Sequence, residues 1–211
     1  MTGNPGSDLA LDHDTDVASL RAEVEALTEE VRALTRLART DPLTGLANRR
    51  GWDEQLTREL ARAQRSQTAV SIALVDLDDF KSFNDSHGHH AGDRLLVEAA
   101  AAWRGQLRDI DVLCRWGGDE FAILLPDCSE PFAQEVIARL GPATPSHQSC
   151  AAGVAAWDRR ETPDELLRRA DTALLQEKRV RAAARPCPRA LPLERPAGAM
   201  VAQDERFPYA H

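Results

Sequence analysis

The chain has 211 residues, of which 43% are hydrophobic and 28% are charged, a composition that suits one soluble domain of ordinary size with extensions. Its formal net charge of −8 argues against a general nucleic-acid-binding protein, which usually has a basic surface, but leaves room for a local basic pocket. The four cysteines are scattered without a Cys-x-x-Cys pair, so neither a zinc site nor a disulfide framework is indicated.

The N-terminal sequence lacks the basic flank and apolar core of a signal peptide. No apolar run approaches the roughly 18 residues that a membrane helix needs. We therefore expect no membrane association, reduced cysteines and a cytoplasmic location.

Residues 1–16 are rich in Gly, Pro, Asp and Thr, and we expect them to be disordered. A heptad pattern then predicts a coiled-coil helix over residues 17–39, with residues 17–38 joining two copies in a parallel homodimer. The alternative is an amphipathic helix that packs on its own domain. The apolar positions of the heptads are Val17, Leu20, Val24, Leu27, Val31, Leu34 and Ala38.

Proline and glycine in the segment 41–46 end this helix. A second helix is predicted from Asn48 to Gln64. The continuous apolar run over residues 69–76 then predicts a buried strand. A polar loop should follow as far as Gly88, before a helix over residues 89–107.

Two apolar runs, 112–114 and 121–125, flank the pair Gly117-Gly118. Glycine takes positive φ without a Cβ clash, so this pattern predicts a tight hairpin. Two acids follow the turn directly, and carboxylates held at a stiff hairpin tip suit a hard cation such as Mg²⁺. The alternative for so short a motif is a solvated turn.

The remaining predicted elements are a short helix over 132–140, a strand over 148–155 and a final helix. The final helix should start with Thr162 as N-cap, Pro163 in its first turn and Glu165 closing a capping box. The proline-rich tail, residues 186–211, is not expected to pack. The element order predicts an α+β catalytic domain over residues 40–185, in which helices cover a mostly antiparallel sheet.

If the strand over 69–76 and the hairpin are neighbours in the sheet, Asp76 converges with Asp119 and Glu120 at one edge. Carboxylates that hold a divalent metal beside lysines such as Lys81 and Lys178 suit a transfer reaction at a phosphate. The positive charges of the metal and the lysines offset the negative charge that develops on the phosphate oxygens.

Several motifs now occur in a fixed order: DPLTGLANRR at 41–50, DLDDFKSFND at 76–85, GHHAGD at 88–93, GGDEF at 117–121 and ADTAL at 170–174. With these motifs the chain resembles the GGDEF domains, the catalytic domains of diguanylate cyclases. The resemblance implies a palm-like sheet related to nucleotidyl cyclases. It also implies condensation of two GTP molecules to cyclic di-GMP with release of two pyrophosphates, with Mg²⁺ (or Mn²⁺) as cofactor and two subunits facing each other.

The resemblance also assigns roles at the reacting centre. Asp76, Asp119 and the backbone carbonyl of Leu77 match the metal ligands. Glu120 matches the acid that assists metal binding or removes the proton of the 3′-hydroxyl.

Around that centre, the resemblance assigns the nucleotide contacts. Asn84 and Asp93 match the guanine readers, although Asn84 could instead make an Asx turn and Asp93 could cap a helix. Lys81 and Lys178 match phosphate contacts, although Lys178 could be a solvated charge. The remaining contacts are the backbone N–H groups of Asp79 and Phe80 and the turn glycines Gly117 and Gly118, which let the chain approach the nucleotide closely.

An Arg-x-x-Asp pair, Arg108 and Asp111, lies where the family often carries a site for inhibition by cyclic di-GMP. Arg139 matches a second arginine of that site. The alternative is an exposed charge cluster at a helix end.

Two departures from the family matter. The segment 121–153 is shorter than usual, which predicts the loss of a peripheral hairpin. Ala182 stands where the family has a second phosphate-binding arginine, and Arg179 or Arg181 could replace it. A catalytically weak domain that acts as a receptor for GTP or cyclic di-GMP is therefore the alternative function.

Overall fold

The computed structural model describes the backbone of residues 6–184 and the side chains of residues 17–184. The expected disorder of residues 1–5 and of the tail from 186 to 211 lies outside the described residues. No helix within the described part is long and apolar enough to cross a membrane. The elements are α1 (Gly6–Arg39), α2 (Arg49–Ser66), β1 (Val70–Leu77), α3 (Phe80–His87), α4 (His89–Arg104), β2 (Val112–Gly117), β3 (Glu120–Pro126), α5 (Glu130–Ala138), α6 (Leu140–Ala143), β4 (Cys150–Ala156) and α7 (Pro163–Ala184).

The four strands form one antiparallel sheet in the order β2-β3-β1-β4. β1 lies inside the sheet, between β3 and β4, and helices cover both of its faces. A strand that is buried on both faces needs apolar side chains at successive positions rather than alternating ones, as β1 has. The predicted α+β class is confirmed, and the buried strand lies where the sequence predicted it.

Two tryptophans anchor the two faces of the sheet. On one face, Trp103 of α4 is fully buried and packs edge-on against Phe121, with ring centroids 4.9 Å apart. Its indole N–H donates to the Leu140 carbonyl at 3.2 Å and to Thr144 Oγ1 at 3.1 Å, so α6 is tied to α4 through a satisfied polar group. On the other face, α2 supplies Trp52, and α7 packs beside it.

Some elements differ from the sequence-based expectations. Residues 80–87 form the helix α3 instead of a polar loop, after a sharp turn at Asp79, whose φ is 54°. α3 buries no residue completely, but Phe80 and Phe83 pack on the core and hold it in place. α4 ends at Arg104 rather than at residue 107, and the single helix predicted over 132–140 divides into α5 and α6.

The segment between β3 and β4 contains α5, α6 and no strand. The sequence predicted that this segment lacks a peripheral hairpin. Residues 127–149, all of which the structure describes, contain no hairpin.

The helix α1 begins at Gly6, so residues 6–16 are helical and the expectation of disorder is wrong for them. Its apolar stripe stays exposed, with Leu20 at 61% and Val24 at 62% of full exposure. α1 reaches the domain at its C-terminal end, where Arg39 and Glu54 of α2 form an ion pair at 2.7 Å. The stripe therefore does not pack on its own domain.

Candidate active site

The end of β1 and the hairpin lie side by side. Asp76 stands opposite Glu120 in the antiparallel register, and the Leu77 N–H donates to the Asp119 carbonyl at 3.4 Å. The turn between β2 and β3 uses positive φ at Gly117 and Gly118, 156° and 57°, a conformation that glycine adopts without strain. The convergence of Asp76, Asp119 and Glu120 predicted from the sequence is present.

Asp76 is the most buried acid of this group, with 12% of its side chain exposed. Lys178 of α7 reaches across the sheet edge and places Nζ 2.7 Å from Asp76 Oδ1. Burial raises the pKa of Asp76, the Lys178 ammonium works in the opposite direction, and the Asp119 and Asp78 carboxylates add to the rise. The net result is a raised pKa, which marks a place where a further positive charge is favourable.

A cavity of about 370 Å³ opens beside this ion pair. Its floor comes from the end of β1 and the turn that follows, its side from the residue before β4, and its roof from the last turns of α7. The residues that line it are Asp76, Asp78, Asp79, Ser149, Lys178, Arg181 and Ala182. Carboxylates and cations thus share one concave surface, as a site for a metal and a phosphate requires.

Four of the lining residues, Asp78, Ser149, Arg181 and Ala182, were not among the predicted site residues. Asp78 accepts hydrogen bonds from Ser149 Oγ at 2.5 Å and from Arg181 Nη1 at 3.2 Å. The position of Arg181, three residues after Lys178 on one helix, was a usable signal because residues at that spacing are neighbours. No sequence signal marks Ser149, which joins the site only because β4 pairs with β1.

Lys81, Asn84 and Asp93 lie on α3 and α4 and do not line this cavity. Asn84 Oδ1 is buried and has no hydrogen-bond partner within the described residues. It lies against Gly92, where an added Cβ would come within 1.8 Å of it. The Asn84 Oδ1 acceptor is therefore unpaired within the described residues and enclosed between α3 and α4.

The two alternatives for these residues can be judged from the helix bounds. Asp93 lies inside α4, whose N-cap is Gly88, so it does not cap that helix. Asn84 lies inside α3 rather than in an Asx turn. Both side chains remain available for another role.

The predicted inhibitory residues lie on the far side of the domain. Asp111 is buried, with 1% of its side chain exposed, and it binds Arg108 at 2.6 Å. Arg108 also donates to the Pro126 carbonyl at 2.8 Å. Asp111 is thus a buried anchor rather than part of an exposed charge cluster, and a direct clamp on a ligand by Asp111 is not what the structure shows.

Arg108 and Arg139 nevertheless line one cavity of about 340 Å³. The exposed ring of Phe132 forms its wall. The cavity therefore offers two guanidinium groups and an aromatic face, beside the carboxylates of Asp127 and Glu135.

Comparison with known proteins identifies this class of domain. A profile of the family described as "Diguanylate cyclase, GGDEF domain" matches residues 38–183. The match covers more than half of the chain, and the chain belongs to this family. The family and the fold expected from the motifs are therefore confirmed.

The chain aligns with part of the length of longer relatives. The diguanylate cyclase DgcP of Pseudomonas aeruginosa is 36% identical over 173 residues, which are 77% of this chain and 26% of DgcP. The response regulator PleD of Caulobacter vibrioides is 38% identical over 155 residues, which are 67% of this chain and 34% of PleD. The chain thus spans about a quarter to a third of the length of these two relatives.

Among solved structures, the coiled coil and GGDEF domain of DgcB from Caulobacter crescentus, in complex with c-di-GMP, superposes with a TM-score of 0.72. Its sequence is 29% identical, and the match covers 79% of this chain and 94% of DgcB's. The diguanylate cyclase SiaD of Pseudomonas aeruginosa, in complex with its activator SiaC, gives a TM-score of 0.67 at 34% identity, covering 82% of this chain and 71% of SiaD's.

Proposed function

We propose that this protein is a diguanylate cyclase, which condenses two GTP molecules into cyclic di-GMP and two pyrophosphates. The observation that carries the proposal is the position of Asp76, buried, paired with Lys178 and opposite the hairpin that holds Asp119 and Glu120. In the reaction, each 3′-hydroxyl oxygen attacks the α-phosphorus of the other GTP. A new P–O bond forms while the bond to the β-bridging oxygen breaks and pyrophosphate leaves.

The residues present fit a divalent cation, Mg²⁺ or Mn²⁺. Asp76, Asp119 and the Leu77 carbonyl are oxygen donors of the kind that hard cations prefer, and Asp76 carries a raised pKa because it is buried among other carboxylates. Within residues 17–184, no three His, Cys, Asp or Glu side chains form a ready-made metal cluster, in keeping with a set completed by a backbone carbonyl and substrate oxygens. When bound, the cation neutralises negative charge on the phosphates.

The other residues bind and orient GTP. Asn84 and Asp93 read the guanine, since their oxygens can accept hydrogen bonds from its N–H groups. Lys178 moves from Asp76 to the phosphates when the carboxylate takes a metal, and Lys81 contacts them from α3. The backbone N–H groups of Asp79 and Phe80 donate to the same oxygens. Glu120 assists metal binding or accepts the proton of the 3′-hydroxyl.

Two subunits must face each other, because each holds one GTP. The exposed apolar stripe of α1 would form the dimer contact, since heptads with valine at a and leucine at d favour a parallel coiled coil of two helices. Binding of the product at Arg108 and Arg139, with Asp111 fixing Arg108, would give inhibition by cyclic di-GMP.

Incubation of the purified protein with GTP and Mg²⁺, followed by mass spectrometry, tests the activity. We expect cyclic di-GMP from the wild type and at least a hundredfold less from Asp119→Ala, on the order of the loss seen when a group that stabilises transition-state charge is removed. Glu98→Gln, an exposed change on α4, is the matched control and should keep full activity. Absence of product at high protein concentration would refute the proposal.

A receptor that binds GTP or cyclic di-GMP without turnover is the second candidate, favoured by the alanine at position 182 in the cavity wall. It predicts binding of either ligand, measured by calorimetry, in a protein that yields no product. Turnover by the wild type excludes it.

A further inference from the structure

Arg181 is the second cation of the candidate active site. Its Nη1 donates to the Cys150 carbonyl at 2.6 Å and lies 3.2 Å from Asp78 Oδ2. Its Nε donates to Glu177 at 2.6 Å. These contacts aim the guanidinium from α7 over the end of β1 while 43% of the side chain stays exposed.

The contacts leave part of the guanidinium free. A guanidinium has five N–H donors, and the bonds of Arg181 within the described residues use Nη1 and Nε only. The donors of Nη2 therefore remain for a ligand in the same cavity that Lys178 lines.

The register of α7 explains why Arg181 reaches the cavity. Lys178 and Arg181 are three residues apart, which places them on one face of the helix. Arg179 does not line the cavity, and Ala182 lines it with only a methyl group. The small side chain of Ala182 leaves room beside Arg181 for a bulky anion.

Charge points to the same role. The cavity is lined by three carboxylates, of Asp76, Asp78 and Asp79, and by two cations. Lys178 is paired with Asp76, and Arg181 is paired with both Asp78 and Glu177. If Asp76 held a divalent metal, Lys178 would lose its partner, and its ammonium group would face the same anion as the free Nη2 donors of Arg181.

We propose that Arg181 binds the terminal phosphates of the nucleoside triphosphate and supplies the second phosphate contact that alanine at 182 cannot make. The inference rests on the proposed function, since GTP is the triphosphate. Arg181 is held by Asp78, Glu177 and the Cys150 carbonyl through Nη1 and Nε, and its Nη2 donors would bind phosphate oxygens of the nucleotide. Guanidinium groups are suited to this because their donors match phosphate geometry.

The test compares two nucleotides that cannot be condensed, so that binding is measured without turnover. The probes are 3′-deoxy-GTP, which lacks the attacking hydroxyl, and GMP, which lacks the terminal phosphates. Calorimetry with Mg²⁺ should show Arg181→Gln weakening 3′-deoxy-GTP about tenfold or more, the usual effect of losing a charged hydrogen bond. Affinity for GMP should stay within about twofold, since GMP does not reach Arg181.

Arg179→Gln is the matched control, one residue away and outside the cavity, and should change neither affinity. Arg181→Lys should fall between the wild type and Arg181→Gln, because it keeps the charge and loses the planar donors. Adding Ala182→Arg to Arg181→Gln should restore binding of 3′-deoxy-GTP.

Equal weakening of both nucleotides would mean that Arg181 only holds α7 on β4, and no weakening would mean that it has no role; either result overturns the inference. Wild-type protein that binds 3′-deoxy-GTP but makes no cyclic di-GMP overturns the cyclase proposal and leaves the role of Arg181 standing. Wild-type protein that binds neither probe overturns both.

Discussion

Arg115 and Asp41 form a largely buried ion pair at 3.2 Å behind the hairpin. Arg115 also donates from Nε and Nη2 to the Gly118 carbonyl, at 3.0 and 2.8 Å, and Asp41 accepts from the N–H and the hydroxyl of Thr44. The pair thus ties the segment that follows α1 to the turn that carries the acids. The position and the stability of the hairpin tip therefore depend on Asp41, which lies far before the hairpin in the sequence.

Asp41→Asn should lower the free energy of unfolding by about 2 kcal/mol, because it leaves the Arg115 guanidinium without its charged partner. Burial raises the pKa of Asp41, but the bonds from Thr44 and Arg115 outweigh it and leave that pKa below its ordinary 3.8. The stabilisation by the Asp41–Arg115 pair is therefore complete above about pH 4, and it disappears as the pH falls through the lowered pKa of Asp41. Urea unfolding of both proteins from pH 7 downward measures the difference.

Glu98→Gln is the control for this pair, since Glu98 is exposed and makes no ion pair within the described residues. A difference between wild type and Asp41→Asn that stays constant into the acid range would contradict the assigned charge pairing.

At the scale of elements, α7 lies directly on β4 because Gly153 has no side chain. A Cβ there would lie 2.1 Å from the Leu174 nitrogen and 2.2 Å from the Ala170 carbonyl oxygen, both of the α7 backbone. Gly153→Ala must push the helix outward, at about 3 kcal/mol by the usual cost of overpacking. The shift also draws Lys178 away from Asp76, so we expect lower cyclase activity together with a lower melting temperature.

The control for Gly153→Ala is Gly141→Ala in α6, where an added Cβ would meet nothing within 4 Å. If the two variants melt at the same temperature, the close approach of α7 to β4 is not what positions that helix.

Sequence patterns predicted the elements whose signals are local. The apolar run of β1, the Gly117-Gly118 turn and the capping box at Thr162, where Glu165 accepts from the Thr162 N–H at 2.8 Å, lie where expected. The helix α3 was missed because its eight residues offer only Phe80 and Phe83 as an apolar pair, too short a pattern to predict a helix, and packing on the core and α4 decides its conformation.

The sequence predicted that Asp76 and the acids of the hairpin lie at one sheet edge, but it did not predict the contacts around them. Asp76 and Asp119 followed from motifs. The pairing of Asp78 with Arg181 needs α7 to cross β4 at Gly153, which only the folded chain establishes. The burial of Asp111 likewise depends on Arg108 reaching the carbonyl at the end of β3.

At the scale of the whole molecule, the long helix α1 carries an apolar stripe that no other described element covers. A second copy is the partner that the heptads favour, and two copies are what the reaction needs, because each active site holds half of the reactants. Association through α1 would then set the activity. The domain alone, residues 39–211, should be mainly monomeric, with a specific activity that rises with protein concentration, whereas the full chain should hold a constant value over the same range.

A point change on the stripe makes the same test without removing the helix. Leu27→Asp places a charge at a d position, where burial in a coiled coil would destabilise the dimer. The variant should sediment as a monomer in analytical ultracentrifugation and have a lower activity at micromolar concentration. Ala22→Asp puts the same charge on the outward side of the helix and should leave both unchanged. Equal sedimentation of the two variants, or a specific activity that is independent of concentration both with and without residues 1–38, would show that the two active-site halves meet by some route other than α1.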